Sequence, residues 1–199
     1  MKTQGLNKDN VNEALLALVG ALEARDLYSK DHSMRVAQFV QHLTGQFRIS
    51  DQQKKIIYNA ALLHDIGVVS IPDAVLLKKG RLSPDERQCI QQAPRVAAKI
   101  LASITSLSEE REIILHHGER WDGHGYPDQL QGEQIPQGSR FIAIAKAVDA
   151  MTKNRAYRRA RPLSYCLEQL NENAGSQFDP KIAGVAARIL CKIMPPDGV

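Results

Sequence analysis

The chain has 199 residues, of which 43% are hydrophobic and 24% charged, with a formal net charge of +4. No apolar run has the length of a membrane span, and the start MKTQGLNKDN lacks the apolar core of a signal peptide. The three cysteines (Cys89, Cys166, Cys191) are scattered and form no CxxC, which suits reduced thiols in a cytoplasm rather than a disulfide frame. The positive excess is too sparse for a dedicated DNA binder; neither DNA nor a membrane is an expected partner.

In chain order, nearly every segment reads as helix. Residues 11–24 carry Leu15, Leu18, Val19 and Leu22 on one face, behind Asn10 and Glu13 in capping-box spacing. Val36, Phe39, Val40 and Leu43 form a second stripe. A third helix is predicted over 51–65 through Ile56, Ala60 and Leu63, ended by Gly67. Ser83-Pro84-Asp85-Glu86 is a helix start, with an N-cap, a proline in the first turn and a glutamate three residues on. Further helices are predicted near 108–117, 138–152, 163–173 and 180–193. Strand alternation is missing nearly everywhere, so the expected fold is an all-α bundle, taken as a single domain over 1–199.

One segment breaks this rhythm. WDGHGYPDQLQGEQIPQGS holds four glycines and two prolines and must be a long loop. Its tryptophan and tyrosine argue against disorder. Beyond it, KNRAYRRAR packs five positive side chains into nine residues, which reads equally as an anion site or as a solvated helix end.

The residues able to bind a metal are His32, the pair His64-Asp65, and His116-His117. An imidazole beside a carboxylate supplies a neutral nitrogen donor and a group able to bridge two cations. Singly, each is more often a helix end or a half-buried histidine than a ligand. On a helix, His116 and His117 would project about 100° apart and could share one cleft only at its edge.

Taken in order, RDLYSKDHSMRV, LLHDIGVVSIPDAVL, LSPDE, HHGERWDGHGYPDQLQGEQIP, VDAMTKNRAYR and GSQFDP resemble the HD-GYP family, a branch of the HD superfamily of metal-dependent phosphohydrolases, over about residues 14–185. The resemblance implies an HD-domain helical bundle with a long GYP loop, cradling two or three metal ions that hydrolyse cyclic di-GMP. It assigns His32, His64, Asp65 and His117 as surviving metal ligands, with Asp65 as the bridge. Tyr28 stands where members with a third metal have a glutamate.

Elsewhere the family pattern fails. Val68 stands where the family has a phosphate-contacting lysine. Ala93 replaces a ligand histidine before Pro94. Without a gap, Gly118 replaces the second histidine of the pair; alternatively Gly118 is an insertion and His116 and His117 are both ligands. Lys146 replaces the closing ligand aspartate, on a helix apolar on nearly every side. The ammonium of Lys146 is expected to pair with Asp65 in place of a metal, the alternative being that it snorkels outward. The GYP side keeps Gly125, Tyr126 and Pro127, with Arg155 and Arg158 as candidate contacts to nucleotide phosphates.

These departures favour a cytoplasmic, non-catalytic regulator that binds cyclic di-GMP or contacts signalling proteins such as diguanylate cyclases. The alternative is a residual phosphodiesterase working through Asp65. No cofactor is expected, or at most one divalent metal such as iron or manganese. The family's receiver or sensory domain is not expected here.

Overall fold

The computed structural model describes residues 17, 19–21, 23, 31–154 and 159–193. Within the first expected helix, residues 17, 19–21 and 23 are helical and Val19 is buried. The remainder of that helix, Tyr28, Arg155 and Arg158 lie outside the described residues. Nine α-helices follow among the described residues: α1 (His32–Thr44), α2 (Asp51–Leu63), α3 (Asp73–Leu76), α4 (Pro84–Gln91), α5 (Ala93–Leu101), α6 (Ser108–Leu115), α7 (Gln137–Thr152), α8 (Leu163–Glu172) and α9 (Pro180–Ile193). A 3-10 turn at Ile66–Ser70 joins α2 to α3. The described residues contain no strand, only an isolated bridge between Ala174 and Phe178. The fold is all-α, and no helix among the described residues is long and apolar enough to cross a membrane.

Side-chain caps set two of the helix starts. Ser50 opens α2 by accepting from Gln53 N, and Ser83 with Glu86 forms a complete capping box at α4. At the centre lies α7, which packs against α1, α2, α6, α8 and α9. It buries Phe141, Ile142, Ile144, Ala145 and Val148, and Phe141 meets Phe47 edge to face at 5.1 Å. Each of the larger of these (Phe141, Ile142, Ile144 and Val148) contributes roughly 1.5–3 kcal/mol on leaving water, so residues projecting from α7 sit on a firm base.

Two helix ends differ from expectation, and both matter for the site. α2 stops at Leu63, so His64 and Asp65 follow it instead of closing it. α6 stops at Leu115, so His116 and His117 are not neighbours on a helix. Their side chains diverge because the backbone at His116 (φ −104°, ψ 10°) has left the helical region.

Candidate functional site

The two helix ends explain how the histidines are held. The last carbonyls of a helix lack intrahelical partners. His64 Nδ1 donates to Ala61 O and His117 Nδ1 donates to Ile114 O, each at 2.7 Å. Each ring thereby satisfies an end of its helix and fixes its own tautomer, leaving Nε2 with a lone pair directed away from the helix. His32 reaches the same place from the start of α1, where the Glu23 carboxylate accepts from Asp31 N and Ser33 N at 2.8 Å. Its Nδ1 donates to Asp149 Oδ2 at 2.7 Å, and Arg35 holds the other oxygen of that carboxylate. The rings of His32 and His117 lie 5.2 and 5.4 Å from that of His64, edge to face.

Asp65 and Lys146 complete the cluster. Asp65 Oδ2 lies 3.5 Å from His32 Nε2, and Asp65 Oδ1 lies 3.2 Å from His64 Nε2. Lys146, on α7, donates from Nζ to Asp65 Oδ1 at 3.2 Å and to His117 Nε2 at 2.9 Å. Its side chain is half-buried, not enclosed as the apolar run of α7 suggested.

The electrostatics divide the histidines. Burial lowers the pKa of His32, but its hydrogen bonds to Asp149 and Asp65 outweigh this and raise it to about 9. Burial, then the Lys146 ammonium, hold His64 and His117 below the ordinary range, so both are neutral. Burial would raise Asp65, yet the Lys146 ammonium and the hydrogen bond from His32 hold its carboxyl well below its usual value.

The divalent ion implied by the family resemblance can be tested against these atoms. His64 Nε2 is buried and has no hydrogen-bond partner among the described residues. Ligand atoms of His32, His64 and Asp65 all lie within 4.8 Å of one another. Imidazole and carboxylate together suit iron, manganese or zinc, so these three residues fit one ion, which when bound would polarise a phosphoryl oxygen or activate a water. The expectation of no cofactor is therefore not carried by this geometry. A second ion between Asp65 and His117 does not fit, because Lys146 already engages both.

The other family positions surround this cluster. Ala93 begins α5 directly against the 3-10 turn: a Cβ at Gly67 would sit 1.9 Å from the Ala93 carbonyl oxygen. Gly118 lies under the Tyr126 ring, and a Cβ there would sit 2.5 Å from Tyr126 Cε2. The ring thus covers the place that a side chain at 118 would need. His116 turns away from the cluster, with Nε2 3.1 Å from Asp128 Oδ2, while Arg95 holds Asp128 Oδ1 and the Pro127 carbonyl.

The loop carrying Gly125, Tyr126 and Pro127 is firmly held. Gly125 is buried, and the Tyr126–Pro127 peptide is cis. Glu119 Oε1 accepts from Asp128 N at 2.7 Å. Trp121 N and Asp122 N donate to Gln177 O and Ser176 O. Arg140 lies over the Trp121 ring at 5.7 Å and donates to Asp179 Oδ2 at 2.9 Å. GSQFDP is therefore the platform of the loop, a role its order in the sequence did not reveal. Sequence reasoning also missed Arg35 and Asp149; the one available signal was the i, i+3 spacing that puts Lys146 and Asp149 on one face of α7.

Residues 16–182 match a family model described as HD domain. A cyclic di-GMP phosphodiesterase of Vibrio cholerae is 34% identical, the match covering 90% of this chain and 40% of the relative. The cyclic di-GMP phosphodiesterase response regulator RpfG of Xanthomonas campestris is also 34% identical, covering 91% and 48%. A 3′3′-cGAMP-specific phosphodiesterase of Vibrio cholerae is 33% identical, covering 89% and 36%. The chain thus spans less than half the length of these curated relatives. Among solved structures, a cyclic GMP-AMP specific phosphodiesterase of V. cholerae superposes with a TM-score of 0.69 at 22% identity, over 92% of this chain and 49% of that one. An HDG"Y"P protein from Bdellovibrio bacteriovorus gives 0.68 at 16%, over 96% and 74%. The chain belongs to the HD-domain family, in its HD-GYP branch.

Proposed function

We propose that this domain is a receptor for a cyclic dinucleotide that holds its ligand without two-metal hydrolysis. Cyclic di-GMP is the first candidate, because relatives named for it match this chain. The observation that carries the reading is the position of Lys146, bonded to both Asp65 and His117. Two unit charges about 4 Å apart repel by about 4 kcal/mol at an effective dielectric of about 20, and a divalent ion beside an ammonium roughly doubles that. A metal pair that clamps both the attacking and the leaving oxygen is thereby disfavoured. The firmly held loop with Tyr126 supports retention of the ligand-facing side, since an aromatic face suits a nucleobase.

A second reading, residual hydrolysis with one metal, is favoured by the unpartnered His64 Nε2 beside His32 and Asp65. One experiment separates the two. The protein is titrated calorimetrically with cyclic di-GMP, and the ligand is then recovered by chromatography. Binding with intact ligand is the expected result. Recovery of cleaved ligand overturns the receptor reading, and absence of heat leaves contact with signalling proteins as the function to pursue.

A further inference from the structure

We infer that Lys146 binds a phosphate of the dinucleotide at the exposed edge of this cluster, and that dinucleotide binding consequently needs no metal. The inference rests on the receptor reading and deepens it. An ammonium carries three donors and no acceptor. Two are engaged, by Asp65 Oδ1 at 3.2 Å and His117 Nε2 at 2.9 Å, which leaves one N–H for a non-bridging phosphodiester oxygen.

Exposure says where that donor can be met. The side chains of Lys146 and Asp65 are 29% and 36% exposed, whereas those of His32 and His64 are 10% and 0%. Solvent therefore enters the cluster at Lys146 and Asp65 and is closed off beneath them. A diester arriving at that mouth meets one ammonium and one carboxylate already joined. The carboxylate's repulsion is offset by its own partner, and the remaining interaction is a charge-assisted hydrogen bond. Among the described residues the neighbours are otherwise committed or uncharged: Val68 and Ala93 carry no charge, Arg35 is directed at Asp149, and Arg95 is directed at Asp128 and Pro127.

The test is a calorimetric titration with cyclic di-GMP in excess chelator, using the wild type, Lys146→Met and Lys146→Arg, with thermal melts to establish that each variant is folded. The wild type is expected to bind in chelator and Lys146→Met to bind on the order of tenfold more weakly. Lys146→Arg restores a cationic donor and should recover part of the loss, which a purely structural role would not predict. Equal affinity of the wild type and Lys146→Met overturns the inference while leaving the receptor reading intact. Wild-type binding that vanishes in chelator and returns with manganese overturns it too, and this result needs no variant to fold. A wild type that binds neither with nor without metal sinks the receptor reading and the inference together.

Discussion

Lys146 Nζ and Asp65 Oδ1 meet at 3.2 Å across 81 positions of sequence, the ammonium reaching from the central helix to the residue just past the end of α2. Replacing Lys146 by aspartate puts a second carboxylate beside Asp65. In chelator that variant should melt well below the wild type, because two carboxylates then share one site. Divalent metal should restore the loss, and elemental analysis after dialysis should find more metal retained than in the wild type. Unchanged metal content would mean that something other than the ammonium governs occupancy.

His116 and His117 make separate predictions although they are adjacent. His116→Ala removes the bond to Asp128 and should cost about 1–2 kcal/mol in urea unfolding, with metal retention unaltered. His117→Ala takes away a partner of Lys146 within the cluster and should alter metal retention. A change of metal retention in His116→Ala as well would restore the alignment in which Gly118 is an insertion.

The all-α fold was legible because apolar stripes and serine caps carry it locally: Val36, Phe39, Val40 and Leu43 need no distant partner to define a face. The neighbourhood of His32, His64, Asp65, His117 and Lys146 was legible from the order of motifs. The ends of α2 and α6 were not. Sequence signals for a helix end are glycine and proline, whereas here imidazoles take the terminal carbonyls of Ala61 and Ile114. Arg35 and Asp149 lie 114 positions apart and their pairing leaves no local trace. The seat of Tyr126 on Gly118 was hidden for a different reason: a glycine registers only as a missing ligand until the ring above it is seen.

Gly118→Ala tests that seat. The added methyl would fall 2.5 Å from the Tyr126 ring, and the ring must move. Overpacking of this kind costs about 1–3 kcal/mol. Combined with Tyr126→Ala, the penalty should fall short of the sum by about 1 kcal/mol, since the clash is gone once the ring is removed. Strict additivity in a denaturant double-mutant cycle would show that the ring does not rest there in solution.

The pairing of His32 with Asp149 predicts a pH window. His32 is raised from 6.5 to about 9, so its contribution is fully present below pH 6.5 and is lost as pH rises through about 9. Burial pushes Asp149 up, but His32 and Arg35 prevail and lower it from 3.8 to about 2. Its contribution is present above pH 3.8 and is lost as pH falls through about 2. In chelator, both contributions coexist between about pH 4 and 6.5, where the His32 proton, shared between Asp149 and Asp65, is worth on the order of 3 kcal/mol in all. Asp149→Asn should therefore lose most stability relative to the wild type near pH 5 and progressively less toward pH 2 and above pH 9. A stability difference that stays constant across that range would mean that the proton on His32 is not what joins α1 to α7.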